Sequence, residues 1–160
     1  MPHLEALRPD HASAVLAFEL ANRAYFAASV SDRGDAYFEE FSEQYARLIA
    51  ESKSRGDAYY VFVDDDGSVV GRFNLYEIKD DTADVGYRVA ERVAGRGMAT
   101  AGVEELCLLA VSEHGLRTLR AKTTRENIAS QRVLSKVGFV AADEADVAGR
   151  PGIWFELTVA

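Results

Sequence analysis

The stretch Val89-Ala90-Glu91-Arg92-Val93-Ala94-Gly95-Arg96-Gly97-Met98-Ala99-Thr100 decides how this chain folds. It leaves an alternating run, Ala83-Asp84-Val85-Gly86-Tyr87-Arg88-Val89, that predicts a strand. It then turns through two glycines and runs into residues 98–113, which predict a helix. Strand, glycine-bearing turn and helix start together make an anion site. First-turn N–H groups have no intrahelical partner, and the helix dipole adds to their pull on negative charge. Glycine at 95 and 97 permits a positive φ or a close approach of backbone to ligand. The stretch therefore reads as a cradle for phosphate or pyrophosphate; the plainer alternative is a helix start tightened by glycine.

Working back toward the N-terminus, Tyr59-Tyr60-Val61-Phe62-Val63 is strand-like and Asp64-Asp65-Asp66-Gly67 is a hairpin turn. Residues 68–78 are the return strand, and Lys79-Asp80-Asp81-Thr82 turns into 83–89, so three strands predict an antiparallel meander. The three aspartates invite a calcium reading, but no downstream glutamate completes an EF-hand-type loop. Residues 3–6 predict a short strand, and a first helix runs from Pro9-Asp10 to Asn22-Arg23. Residues 36–54 predict a second helix with Phe38, Phe41, Tyr45 and Leu48 on one face. The aromatics between Tyr25 and Tyr45 read as core or as the wall of a substrate cleft.

Beyond the helix at 98–113, residues 116–123 predict a strand, 127–137 a fourth helix, and Phe139-Val140 the start of another strand. Residues 143–152 read as a loop and 153–159 as a last strand. A meander followed by strand, helix, strand, helix and strands predicts an α+β mixed sheet flanked by about four helices, in one domain over residues 1–160.

Composition narrows the function. The 160 residues are 48% hydrophobic, enough for one real core. No apolar run is long enough to span a membrane, and the first residues lack the pattern of a signal peptide. Cys107, the single cysteine, lies in an apolar helix and reads as a structural thiol; together these features predict a cytoplasmic protein. The net charge of −8 argues against nonspecific binding to nucleic acid. Residues 1–80 hold 8 Lys and Arg against 15 Asp and Glu, whereas 86–136 hold 9 against 5. The basic half suits a phosphorylated cofactor, and the acidic half suits a cationic substrate or a solvated surface. No cluster of His, Cys, Asp and Glu has metal-ligand spacing, so no metal is expected. Neither His11 nor His114 stands out as catalytic, and oligomeric state is open, a homodimer included.

The most specific motif is Asn127-Ile128-Ala129-Ser130-Gln131-Arg132-Val133-Leu134-Ser135-Lys136-Val137-Gly138-Phe139. It resembles the Asn-x-x-Ser/Ala-x-x-Val/Leu-Leu/Tyr-x-x-x-Gly-Phe segment of the GNAT acetyltransferases, in particular their Rim-type, ribosomal-protein branch. The earlier turn is similar to that family's coenzyme A loop, Gln/Arg-x-x-Gly-x-Gly/Ala, with Ala94, Gly97 and Ala99 on the three marked positions. Ala94 departs from the pattern; Arg92-x-x-Gly95-x-Gly97 is a second register that satisfies it. The resemblance is good over residues 61–159 and looser before them, where Asn22-Arg23 and Arg33-Gly34-Asp35 also look like that branch.

It implies a sheet splayed between its fourth and fifth strands, 83–89 and 117–123, with acetyl-CoA in the gap. Backbone N–H groups of Arg92, Gly95, Arg96, Gly97, Met98, Ala99 and Thr100 would hold its pyrophosphate. Tyr87 and Val89 would pair with the pantetheine arm, and Asn127 would contact it, unless that residue is only a helix cap. A strand N–H near Tyr87–Val89 would be the oxyanion donor. Many members protonate the departing thiolate with a Tyr seven positions after the motif Asn; here that position is Leu134, and Ser130 is the candidate instead. Asp84 and Glu77 are candidate bases. The acceptor would be a primary amine, a protein N-terminus or a small molecule. Two other readings compete: an acyl-CoA sensor without turnover, and a nucleotide-binding domain, against which the missing third glycine counts.

Overall fold

The computed structural model describes residues 1–160. The strands are β1 His3–Ala6, β2 Ala58–Val63, β3 Val69–Lys79, β4 Thr82–Val89, β5 Thr118–Thr124, β6 Val140–Val147 and β7 Arg150–Thr158. They form one sheet in the order β1-β2-β3-β4-β5-β7-β6. The helices are α1 Ala12–Ala21, α2 Arg23–Ala27, α3 Asp35–Glu39, α4 Phe41–Arg55, α5 Met98–Ser112 and α6 Ile128–Val137.

All neighbouring strands run antiparallel except β4 and β5, which are parallel. That pair registers only at Thr82↔Thr118, Ala83↔Leu119 and Asp84↔Arg120. Beyond Asp84, β4 stays on β3 as far as Val89↔Gly71, while β5 stays on β7 as far as Thr124↔Gly152. The sheet therefore opens after three residue pairs, and the β5-facing edge of β4 from Val85 to Val89 has no strand beside it. This is the expected splay, and unpaired strand edges take up extended partners readily.

The core lies between the sheet and its helices. Phe62, Phe73 and Leu75 of β2 and β3 are buried with Val103, Leu106 and Ala110 of α5 and Leu134 of α6. Gly102 explains how closely α5 sits on the sheet, because a Cβ there would run into the Phe73 ring. Val15 and Phe18 of α1, Phe26 of α2 and Phe41 and Tyr45 of α4 join the same cluster, so half of the aromatics between Tyr25 and Tyr45 are core, while Tyr25 is exposed.

Three expectations need correction. The helix expected over residues 36–54 breaks at Glu40 (φ −103°, ψ 20°) into α3 and α4. The first helix ends at Asn22 as expected, with Asn22 Nδ2 donating to Phe18 O at 2.8 Å, but a further short helix, α2, follows it, so six α-helices replace four. Residues 143–152 are not a loop: Val140–Val147 pairs with Arg150–Thr158 as a hairpin turning at Ala148 and Gly149. β6 is the outer strand of the sheet and almost wholly exposed, so it carries none of the apolar alternation that marks a buried strand.

Candidate active site

The turn after β4 begins with a single helical turn at Glu91–Val93 and ends at Gly97, which precedes α5. Gly95 (φ +75°) and Gly97 (φ +77°) both adopt left-handed backbone, and nothing lies within 4 Å of where their Cβ atoms would be. Their role is conformational rather than one of close packing. The N–H groups of Gly95, Gly97, Met98, Ala99 and Thr100 find no carbonyl within the turn. Five amides thus stay free at the positive end of a 15-residue helix. Arg92 and Arg96 are exposed at this mouth, with Arg92 Nη2 donating to Ser68 Oγ at 3.1 Å. The buried Asn22 fixes the start of the turn from the other side by accepting from Glu91 N at 2.9 Å.

From Gly95 and Ala99 a groove of about 260 Å³ runs along Val89 and Tyr87 to Asn127 and Ser130. Tyr87, Asn127 and Ser130 also line a cleft of about 520 Å³ inside the splay. Asn127 caps α6: its side chain accepts from Ser130 N at 3.1 Å, which leaves its Nδ2 free to donate into the cleft. That bond holds Ser130 in the first turn of the helix. Ser130 Oγ lies 3.2 Å from the Tyr87 hydroxyl, whose ring stacks on Phe73 with centroids 5.6 Å apart. Burial pushes the Tyr87 phenol above its ordinary pKa, partly offset by the bond to Ser130. Leu134, on the next turn of α6, is buried at the inner end of the cleft.

The cleft is also lined by residues 27–31, from the last residue of α2 onward, and by Val147, Ala148 and Arg150 at the β6–β7 turn. Its charged lining is Lys122 and Arg150; no Asp, Glu or His contributes. Asp84 and Glu77 stand elsewhere, in a neighbouring depression with Lys79, Arg120 and Trp154. Asp84 begins the same strand face that Gly86 continues into the cleft, and burial, then the Glu77 charge, raise its carboxyl above the ordinary value. Glu77 sits in a β-bulge at φ +52° with its N–H on Asp57 Oδ1. The structure therefore gathers Tyr87, Val89, Gly95, Ala99, Asn127 and Ser130, and leaves the two carboxylates outside the lining.

Sequence reasoning assigned Tyr87 by its backbone and missed its phenol; the signal was the position of Ser130 combined with the loss of a Tyr at 134. It also missed Lys122 and Arg150, which no motif marks. His11 and His114 are structural, bonded to Glu5 at 3.0 Å and to the Tyr60 hydroxyl at 2.8 Å. Cys107 is half-buried, and its thiol is pushed up to about 11 by that burial. No helix is long and apolar enough to cross a membrane.

A mixed sheet opened beside an amide-lined turn is the layout of an acyl-transferring enzyme, and residues 3–140 match the family described as "Acetyltransferase (GNAT) domain". The chain belongs to the GNAT acetyltransferase family. Solved structures agree in fold. The ribosomal-protein-S5-alanine acetyltransferase of Vibrio fischeri superposes with a TM-score of 0.87 at 21% identity, covering 97% of this chain and 91% of that one. Mycobacterium smegmatis RimJ, solved with a CoA disulfide, gives 0.84 at 24% identity over 97% and 80%. The Vibrio cholerae spermidine N-acetyltransferase, solved with CoA and spermine, gives 0.79 at 17% identity over 98% and 95%. No curated protein sequence matches the chain.

Proposed function

We propose that this protein transfers the acetyl group of acetyl-CoA to an α-amine, that of a peptide N-terminus or of a small molecule, by direct attack on the thioester. The observation that carries this reading is the combination of a free β4 edge with a cleft that holds no base of its own. Five free amides at the α5 start suit a pyrophosphate, and the bare edge at Tyr87 and Val89 suits the amides of a pantetheine arm. An amine must be neutral to attack. A peptide α-amine has a pKa of about 7.7–8.0 and is partly neutral in ordinary buffer, whereas an alkyl ammonium near 10.4 needs a base to take its proton. The absence of Asp, Glu and His from the lining favours the first kind of acceptor.

In this scheme the acceptor nitrogen attacks the carbonyl carbon, and an N–H of β4 between Tyr87 and Val89 stabilises the oxyanion. The C–N bond forms as the C–S bond breaks. Ser130 gives its proton to the leaving sulfur, Tyr87 reprotonates Ser130, and the proton shed by nitrogen returns to Tyr87 through water. The two hydroxyls at 3.2 Å thus stand in for the tyrosine that Leu134 replaces.

The test supplies acetyl-CoA and a panel of peptides, amino acids and polyamines. Free thiol is followed continuously, and the modified nitrogen is located by mass spectrometry. Thiol release matched by α-amine acetylation is the expected result. Binding of acetyl-CoA with no thiol release on any amine would instead establish a sensor on the same fold.

A further inference from the structure

The charge of the cleft says more about the acceptor than its shape does. Lys122 lies on β5 at the point where β4 has left it, and it forms no ion pair; its ammonium rests 5.4 Å from the Trp154 ring. Arg150 lines the cleft from the start of β7, the strand next to β5, held only loosely by Glu126 at 3.9 Å, both side chains being largely exposed. Arg88, whose guanidinium lies over Phe26 at 4.6 Å, adds a third positive charge where the cleft meets the groove. Burial, and then Arg33, lower the pKa of Arg88; the one carboxylate near it, Glu19, is shared with Arg33 and Arg72. The lining itself offers no negative group; the carboxylate that acts on Lys122 is Asp84, in the neighbouring depression.

This arrangement has two consequences. A polyamine threading the cleft would bring its remaining ammonium groups against Lys122 and Arg150 with no carboxylate in the lining to balance them. An acceptor with a carboxylate near its amine would find two partners there. The same cations also favour the uncharged form of the amine, because nearby like charge lowers the pKa of an ammonium. Selection of the acceptor and activation of its nitrogen therefore have one electrostatic source.

We infer that the preferred acceptor carries a carboxylate within about one residue of its α-amine, bound by Lys122 and Arg150, and that polyamines are excluded. The inference rests on the acetyltransferase reading and narrows its substrate class. Two sources share this chemistry: a peptide N-terminus whose second residue is acidic, and a free amino acid with its own α-carboxylate.

The experiment compares kcat/KM at saturating acetyl-CoA for a peptide beginning Ala-Asp, the same peptide beginning Ala-Lys, alanine, alanine amide and spermidine. Ala-Asp is expected to exceed Ala-Lys by about tenfold, the scale of two partly exposed charge pairs. If the source is a free amino acid, alanine exceeds alanine amide by a similar factor. Lys122→Glu, with Arg150→Glu as a second variant, is expected to reverse the order while melting at the temperature of the unmodified protein. Equal use of Ala-Asp and Ala-Lys together with equal use of alanine and its amide, or preference for spermidine, overturns the inference while leaving acetyl transfer standing. Thiol release with no α-amine at all overturns both.

Discussion

The hydroxyl pair is the first thing a single substitution can probe. Tyr87→Phe removes the phenol but keeps the ring stacked on Phe73, so the fold is undisturbed. A positioned proton donor contributes about 10²–10⁴ in rate, and two hydroxyls share that effect here. Tyr87→Phe and Ser130→Ala are each expected to lower kcat about tenfold, and the double variant about a hundredfold, with the affinity for acetyl-CoA little changed; steady-state kinetics and calorimetry read the two effects separately. Asp84→Asn tests the other side of the chemistry. With Asp84 outside the cleft lining, the loss in kcat/KM should stay below about tenfold, whereas removing a true general base costs about a hundredfold or more. A peptide acceptor should then show kcat/KM rising with pH through roughly 7.7–8.0 and levelling above it, because only the deprotonated amine reacts and no carboxylate adds an acidic limb. A second, lower inflection that disappears in Asp84→Asn would give the proton to Asp84 instead.

At the scale of elements, the glycine turn works because other segments hold it. Asn22 ends α1 and accepts from Glu91 N at 2.9 Å, so one buried amide joins the helix break to the first residue of the turn. Asn22→Ala leaves that N–H without its partner, a loss of about 1–3 kcal/mol. The expected result is a severalfold weaker acetyl-CoA complex in calorimetry, with kcat changed less. Gly102→Ala acts on the opposite face: its methyl would push Phe73, and Phe73 carries Tyr87. Overpacking of this kind costs about 1–3 kcal/mol, and it should lower kcat as well as Tm because the phenol moves with the ring. The turn, α5 and the Asn127 cap were legible in the sequence because each depends on local chemistry: φ > 0, free amides, a side-chain acceptor. The break at Glu40 was not, since helical periodicity runs through it, and neither was α2, a short helix that follows the expected end of α1 at Asn22. β6 was hidden for a different reason, an exposed outer strand having no apolar face to reveal it.

Across the whole molecule, the cofactor side of the site could be read from two motifs, whereas the acceptor side is assembled from segments distant in sequence: residues 27–31, Lys122 and Arg150. What ties the N-terminal part of that side to the sheet is Glu19, which is only 1% exposed. It accepts from Arg33 Nε at 2.8 Å, Arg72 Nη1 at 2.9 Å and Arg88 Nη1 at 3.4 Å, linking α1, the segment before α3, β3 and β4. Burial alone would raise the Glu19 carboxyl, but Arg33 and Arg72 together hold it below its ordinary value of 4.5. A depressed carboxylate contributes stability that is complete above its unfolded pKa and is lost as the pH falls through the lower, folded value. The cluster should therefore support the fold at neutral pH and release it on acidification below pH 4.5. Glu19→Gln keeps the shape but strands three guanidinium groups with no charge to balance them, a loss of about 3–5 kcal/mol. Urea titrations at pH 7 and again near pH 3 should show that deficit at the first pH and a smaller one at the second, where the wild-type carboxylate is itself becoming protonated. An equal gap at both would mean that Glu19 acts through packing rather than charge. Because one of these arginines, Arg88, lines the groove that adjoins the cleft, peptide acetylation at pH 7 should fall in Glu19→Gln even at a temperature where the variant remains folded.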